Sequence, residues 1–202
     1  NSAMARALDI DDHMPPGMHL GASAVPTALA AAELAGGCTG KEFLTALALG
    51  FEMAIRMNGA STYNGFDPSG VCGIFASVAA AGRVLHLDPP QMLSALGLGF
   101  NRPVQTFQSI VDGTTAVRVG QGLISQAAIT SAQLAKAGIT GPRNFLEGVF
   151  GYFHLYAADQ YDPAAITAGL GEEFHLHKIS FKNYPSCGGT IASTDAILAL
   201  ME

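Results

Sequence analysis

Residues 39–57 read TGKEFLTALALGFEMAIRM, and this stretch decides the class of fold. Thr39 and Glu42 form a capping box, in which the threonine oxygen accepts the third backbone amide while the glutamate reaches back to the cap. The residues that follow are apolar on nearly all sides, and their polar members form one narrow stripe: Thr45, Glu52 and Arg56. The pattern predicts a helix over residues 41–57 that is buried on most of its surface.

Start signals of the same kind recur along the chain. Asp88 precedes two prolines and a glutamine, which is the order of a helix N-cap, a first-turn proline and an N3 amide, and Asp162-Pro163 repeats part of it. Further helices are predicted near residues 23–36, 71–86, 89–99, 120–137, 143–149 and 163–169, and most of these runs are Ala-rich. A weak echo of one helix-turn-helix pattern, at residues 32–44 and 132–146, indicates stacked helical hairpins.

The pattern changes near residue 173. Residues 174–181, FHLHKISF, alternate at period two and predict a strand, and a last helix follows from about Thr190 to Met201. We therefore predict a mainly α chain: an all-α domain of stacked helical hairpins over 1–170, then the first strand and helix of an α+β lid domain over 171–202. A single strand has no backbone partner, so we expect a fragment of a larger protein.

The composition excludes several classes of protein. Of 202 residues, 49% are hydrophobic and 13% are charged, with a net charge of -6. Disorder is excluded, and so little charge predicts that the chain buries surface against something beyond itself. No apolar run predicts a membrane span, and the acidic balance argues against nucleic acid as a partner. The widely spaced Cys38, Cys72 and Cys187 indicate free thiols in a reducing, cytoplasmic compartment.

The densest polar cluster opens the chain and consists of Asp9, Asp11, Asp12, His13 and His19. Carboxylates beside imidazoles can take up and return a proton near neutral pH, because neighbouring groups tune each pKa. The same side chains could bind a metal, although no HExxH-like spacing is present. A solvated acidic loop that caps the helix starting near residue 23 is the third interpretation.

Three further groups have simpler explanations beside functional ones. Residues 65–70, GFDPSG, precede an apolar helix and could hold an anion on backbone amides, although turn chemistry suffices. His175 and His177 share one face of the predicted strand. Two histidines on an ordinary strand face are commoner than a metal site. Residues 182–190, KNYPSCGGT, can present donors to a carboxylate, but no histidine lies near Cys187 in sequence to activate it as a nucleophile.

Motifs spread in one order along the chain resemble the MmgE/PrpD family. They are ALDIDD at 7–12, HLG at 19–21, VPxxLA at 25–30, GFE and Arg56 at 50–56, GFxPSG at 65–70, AxLA and GxTGP at 132–142, and KxYPxC at 182–187. The resemblance implies an all-α domain with an α+β lid, a homodimer, and no metal or organic cofactor. It also implies a lyase or isomerase that abstracts a proton next to a carboxylate of a small acid, leading to dehydration, decarboxylation or epimerisation.

The resemblance carries over to site residues one by one. Asp9 and His19 match the family's active-site aspartate and histidine, which implies an acid/base pair. The residues that the resemblance implies for binding a small carboxylate substrate are His13, Asp67, Arg118, Lys182, Tyr184 and Cys187.

This chain also departs from the family pattern. His13 replaces a threonine of decarboxylase-like members, and Asp67 replaces the histidine of a Gly-x-His-Pro turn. Val117 aligns with a usual lysine, with Arg118 beside it, and Ile191 lies near a usual histidine. These changes predict a less negatively charged substrate, compensation by other cations, or a degenerate relative acting as a helical interaction module. Beside the family enzyme and the interaction module, a metal-dependent hydrolase that uses the Asp/His cluster is the third functional hypothesis.

Overall fold

The computed structural model describes residues 1–15, 17–102 and 104–202 of the chain. These residues form a mainly α-helical structure, which confirms the predicted class. The helices are α1 Ser2–Ala7, α2 Gly21–Leu34, α3 Gly40–Ala60, α4 Pro68–Val84, α5 Pro89–Phe100, α6 Gln108–Val111, α7 Ala116–Lys136, α8 Tyr152–Ala157, α9 Pro163–Thr167 and α10 Gly188–Met201. Two strands, β1 Asp12–His13 and β2 Ser180–Phe181, and a 3₁₀ turn at Leu176–Lys178 complete it. Across the described ranges no helix has the length and apolar character that a bilayer span requires.

Helix α4 forms the centre of the core. Its sequence consists mostly of Ala, Gly, Ser and Val, and it is buried along nearly its whole length. Small side chains allow close helix approach, and α4 packs against α2, α3, α5 and α7. It begins at Pro68, before the predicted residue 71, because the Asp67 carboxylate accepts the Ser69 N–H at 2.8 Å and so caps it.

Helix α3 begins with the predicted capping box. The Glu42 N–H donates to Thr39 Oγ1 at 3.2 Å, and the Thr39 N–H donates to Glu42 Oε2 at 2.9 Å. The helix then crosses α4 at Gly50, where an added Cβ would lie 2.4 Å from the carbonyl oxygen of Ala76. A glycine at this position therefore sets the separation of the two central helices.

Gly50→Ala is expected to lower the free energy of unfolding by about 1–3 kcal/mol, because the new methyl group forces α3 away from α4. Urea unfolding followed by circular dichroism measures the change. Gly59→Ala is the matched control: it lies exposed in α3, where an added Cβ has no described atom within 4 Å. This control should be stabilising by up to about 1 kcal/mol. Equal losses in the two variants would contradict the close approach at Gly50.

The predicted helix over residues 143–149 is wrong. These residues form turns, and the next helix is α8. The chain folds back on itself, since the Tyr152 N–H donates to the Phe145 carbonyl at 2.7 Å and the Gly151 N–H donates to the Gly148 carbonyl at 2.7 Å. Gly148 and Gly151 permit the reversal, because an added Cβ would lie 2.5 Å from the Asn144 carbonyl oxygen at the first and 2.6 Å from the Gly148 nitrogen at the second.

The predicted continuous strand over residues 174–181 is also wrong, because only Ser180 and Phe181 pair with another strand. β2 runs antiparallel to β1, with Asp12 opposite Phe181 and His13 opposite Ser180. The expectation of a strand without a partner is therefore corrected, and the ladder is only as long as the two-residue β1 allows. The residues before β2 form the 3₁₀ turn, so His175 and His177 do not share a strand face. This pairing brings the far end of the chain to its beginning.

Candidate active site

Four segments that are distant in sequence line a partly enclosed cavity of about 790 Å³. Its wall comes from the loop between α1 and α2, the N-terminus of α4, the segment entering α7 and the segment entering α10. Among the residues that the structure describes, the predicted site residues on this wall are Asp9, His13, His19, Asp67, Arg118 and Cys187.

Asp9 lies at the centre of a cluster of cations. Its φ of 56° is left-handed, a conformation that aspartate tolerates better than most residues, and it turns the chain directly after α1. Its carboxylate pairs with Arg6, accepts a hydrogen bond from Lys182 Nζ at 2.6 Å and lies 3.4 Å from Arg118 Nη1. Burial alone raises the pKa of Asp9, but the Lys182 hydrogen bond and these positive charges outweigh burial and lower the pKa overall.

The Lys182 side chain is fully buried and bridges two carboxylates. Its Nζ donates to Asp9 Oδ1 at 2.6 Å and to the Asp9 backbone carbonyl at 3.1 Å, and it lies 2.9 Å from Asp11 Oδ1. The Lys182 N–H also donates to the Asp11 carbonyl at 3.1 Å, which extends the β1–β2 pairing by one bond. Lys182 therefore lies beneath the cavity wall and acts on the cavity through Asp9.

Arg6 and Asp11 belong to the same cluster, and the sequence reasoning did not place them in the substrate site. Arg6 Nη1 donates to Asp11 Oδ2 at 2.9 Å and also to Asp9. Their signal was present, since a single arginine in a short Ala-rich stretch stands just before three aspartates, but α1 itself was not predicted. Within this described ion-pair cluster, the three cations Arg6, Lys182 and Arg118 outnumber the two carboxylates Asp9 and Asp11, which favours an anionic ligand beside it, and the cavity wall also carries Asp67.

Hydrogen bonding fixes the orientation of His19, and burial favours its neutral form. Its Nδ1–H donates to the Asp12 backbone carbonyl at 2.6 Å, and its backbone N–H donates to Ser69 Oγ at 3.0 Å. Burial and the charge of Arg6 lower the pKa of His19, although the Asp12 carbonyl and Asp11 act in the opposite direction. The hydrogen bond assigns the proton to Nδ1, so Nε2 is the nitrogen able to accept one.

Asp12 has a structural role, unlike its neighbours Asp9 and Asp11. Its Oδ2 accepts the Leu20 N–H at 2.9 Å and its Oδ1 accepts the Gly21 N–H at 2.8 Å, so it satisfies free amides at the start of α2. The interpretation of the acidic segment as a helix-capping loop thus describes Asp12, whereas the other two carboxylates form ion pairs.

Asp67 and His13 both contribute polar groups to the wall. Burial raises the pKa of Asp67, and its hydrogen bonds with Ser69 only partly offset this. The His13 and His19 rings lie 5.6 Å apart between centroids. His13 Nδ1 is buried without a hydrogen-bond partner in the described chain, and it would lie 2.8 Å from a Cβ added at Gly188. Only a glycine at the start of α10 accommodates this ring.

The structure separates the two remaining residues of the 182–190 motif. Cys187 lines the cavity at the N-cap of α10. Tyr184 is absent from the cavity wall as described, and its hydroxyl donates to Asp195 at 2.7 Å, a hydrogen bond that raises the pKa of Tyr184. Val117 lies on the wall next to Arg118, whereas Ile191 is not among the described wall residues. No described group of three or more His, Cys, Asp or Glu residues is arranged to hold a metal ion.

Comparisons with known proteins match the whole chain. A family model described as the MmgE/PrpD N-terminal domain matches residues 1–164. The chain is 26% identical to the cis-aconitate decarboxylase-like protein oryM of Aspergillus oryzae, covering 100% of the chain and 45% of that relative. It is 27% identical to a cis-aconitate decarboxylase of Aspergillus terreus over 98% of the chain and 43% of the relative. The human cis-aconitate decarboxylase is 24% identical over 100% and 43%, so the chain spans under half the length of these relatives.

Proposed function

The chain belongs to the MmgE/PrpD family, and from this premise we propose that the protein containing it is a lyase or isomerase acting on a small carboxylic acid. The observation that carries the proposal is His19, a buried neutral imidazole with an available Nε2 in a cavity beside excess positive charge. The names of the matched relatives, cis-aconitate decarboxylases, support the same substrate class.

The proposed reaction begins with a proton transfer. His19 Nε2 takes a proton from the carbon next to a substrate carboxylate, and the electron pair moves into that carboxylate to form an enolate-like intermediate. Arg118 and Arg6 on the wall, with Lys182 behind Asp9, offset the added negative charge in a partly enclosed site. Loss of a β-hydroxyl as water, or return of the proton, then completes dehydration or epimerisation. In a decarboxylation the carbon–carboxylate bond instead breaks to release CO₂, its electron pair forms the enolate-like intermediate, and His19 passes a proton from solvent to the carbon.

Asp9 and His19 have different roles in the proposed reaction. The lowered pKa of Asp9 makes its carboxylate a weak proton acceptor near neutral pH, so His19 is the better base. Asp9 instead holds the three cations together, because it contacts Arg6, Lys182 and Arg118 at once. In the proposal it therefore acts on the substrate through the positions of these cations.

The substrate class follows from the charges on the wall. The Arg118 side chain is 37% exposed, and its recorded contacts to Asp9 and to the Arg6 carbonyl are both 3.4 Å long, which leaves guanidinium donors for a ligand carboxylate. Burial raises the pKa of Asp67, the other carboxyl group on the same wall. We propose that a di- or tricarboxylate binds here, with cis-aconitate as the first compound to test.

We also propose that residues 171–202 begin a second, α+β domain and that the protein forms a homodimer. Support comes from large apolar side chains of α10 that stay exposed in this chain, which are Ile197, Leu198, Leu200 and Met201. Such a surface is typical of one that packs against another part of the protein or a second copy.

The function is tested by incubating the intact protein with cis-aconitate in D₂O and following the proton spectrum. We expect loss of the signal of a proton next to a carboxylate, through exchange or conversion to product, and CO₂ release if the reaction is a decarboxylation. Detection of exchange does not depend on which later step occurs. A folded protein that catalyses neither exchange nor conversion of any small di- or tricarboxylate would contradict the proposal.

A helical interaction module without activity is the second candidate. The observation that favours it is the presence of Val117 and Ile191 where the family has a lysine and a histidine. Calorimetry with cis-aconitate separates the two candidates, because an enzyme of the proposed kind must bind the compound. Absence of binding by the folded protein, with Asp9 and His19 intact, would favour the module.

A further inference from the structure

A second buried polar cluster lies outside the cavity, on α3. Arg56 Nε donates to Glu52 Oε1 at 2.7 Å, and the two side chains are 2% and 6% exposed. An ion pair between residues four apart stabilises an exposed helix by only a few tenths of a kcal/mol. Its complete burial in the structure shows that the pair serves contacts beyond α3.

Arg56 uses its remaining donors to hold the last turn of α9 and the backbone that follows it. Its Nη1 donates to the carbonyls of Ile166 at 3.1 Å and Ala168 at 2.6 Å, and its Nη2 donates to the carbonyl of Glu173 at 2.8 Å. These acceptors lie more than a hundred residues further along the chain. One planar guanidinium thus fixes three points of a segment that has little regular structure of its own.

Glu52 holds the next part of the same segment. The backbone N–H of His175 donates to Glu52 Oε2 at 2.6 Å, and its ring Nδ1–H donates to Oε1 at 3.0 Å. The stretch from Ile166 to His175 is therefore attached to α3 by one ion pair. Arg56 donates to its carbonyl groups and Glu52 accepts from its last residue.

The segment beyond His175 crosses a second cavity before it reaches the site. This cavity has a volume of about 700 Å³, and its wall includes Phe51 of α3 together with Leu176, Ile179 and Phe181 of the segment. Because the segment spans a cavity rather than a filled core, side-chain packing gives it less support there. Ile179 packs against the hydrophobic core, and the hydrogen bonds that hold the segment are at its two ends, which are the Glu52–Arg56 pair and the β1–β2 pairing next to Lys182.

We propose that Glu52 and Arg56 are positioning residues that hold the segment 176–182 so that Lys182 stays between Asp9 and Asp11. The pair touches neither the cavity of about 790 Å³ nor the side chain of Lys182, and it acts through seven residues of backbone. The proposal concerns the placement of the ammonium group and stands whether or not the proposed reaction is the correct one.

Arg56→Lys tests the proposal, since a lysine keeps the charge beside Glu52 but cannot reach all three carbonyls. The readout is acetylation of individual lysines in the intact protein by N-hydroxysuccinimidyl acetate, followed by peptide mass spectrometry. In the wild type, buried Lys182 should react at least about tenfold more slowly than exposed Lys41, because it must leave its ion pairs first. In Arg56→Lys we expect the Lys182 rate to rise about fivefold with the Lys41 rate unchanged.

Gly50→Ala is the matched control, because it destabilises the same helix at the α4 contact and leaves the Glu52–Arg56 pair in place. A similar rise at Lys182 in this control would reduce the effect to general destabilisation and overturn the proposal, as would an unchanged rate in Arg56→Lys. Should Arg56→Lys lose its helical circular dichroism, the same rates are measured in His175→Ala. That variant keeps every Arg56 contact and removes one to Glu52, and an unchanged Lys182 rate there would also overturn the proposal.

Discussion

Replacing His19 with glutamine is expected to reduce turnover of the carboxylate substrate by about 100-fold or more while the fold is kept. Glutamine has a similar size and retains an amide N–H that can donate to the Asp12 carbonyl, but it cannot accept a proton as imidazole Nε2 does. Initial rates from proton spectra measure the loss, and circular dichroism verifies the fold. His154→Gln is the control, since His154 is exposed and hydrogen-bonded to Asp159 away from the cavity wall.

The pH profile gives the same prediction a second measurement. His19 must be neutral to act as the base, and its pKa lies below the ordinary 6.5, so the acid limb of wild-type kcat/KM should fall below pH 6.5. The free energy of unfolding should also fall towards acid pH. The contribution of His19 to it is complete above pH 6.5 and is lost as the pH falls through the folded-state pKa. Wild-type turnover in His19→Gln, or an acid limb above pH 6.5, would contradict the assignment of His19 as the base.

Local chemistry explains which elements the sequence predicts well. The side chains of Thr39, Asp88 and Asp162 each accept a hydrogen bond from a backbone amide no more than three residues later. All three helices begin at the expected place. The sequence predicts the start of α2 less well. The side chain that accepts its first amides is Asp12, which lies nine residues before Gly21. A cap contributed by a preceding loop leaves no signal at the spacing that a capping box has.

The candidate site depends on contacts between residues that are distant in sequence. Lys182 and Asp9 are 173 residues apart, and no pattern within either segment indicates that one ammonium bridges Asp9 and Asp11. The two-residue β1 is too short to recognise from period-two alternation, yet it determines where β2 and Lys182 lie. The resemblance to a family supplied the pairing of these motifs, whereas Arg6 and the attachment of His175 to Glu52 emerged only from the structure.

The charges of the site also clarify the departures from the family pattern. Val117, which the resemblance aligns with a lysine, places no cation on the cavity wall, but Arg118 lies on the same wall and contacts Asp9. The carboxyl group gained at Asp67 caps α4 and has a raised pKa because it is buried. Arg118 therefore supplies a cation on the wall where Val117 has none, which supports the proposed binding of an anionic substrate.

Lys182→Met is expected to lower both stability and affinity for a dicarboxylate. Methionine fills the space of the lysine stem but removes the ammonium, so Asp9 and Asp11 keep Arg6 as their nearest cation. Breaking a buried ion pair on one side costs about 3 kcal/mol or more, because a buried charge loses its compensation. Loss of one of three cations should also weaken binding of cis-aconitate by about tenfold or more. Urea unfolding and calorimetry measure the two effects.

The pH dependence of this loss identifies its cause. In the wild type the lowered pKa of Asp9 contributes stability that is complete above the ordinary value of 3.8 and is lost as the pH falls through the folded-state pKa. Removal of Lys182 raises that pKa, so the stability gap between wild type and Lys182→Met should be widest near neutral pH and narrow towards pH 3. Lys178→Met, an exposed change four residues earlier, should leave both stability and binding unaltered. A gap that stays constant with pH would mean that Lys182 stabilises the protein through packing of its stem rather than through its charge.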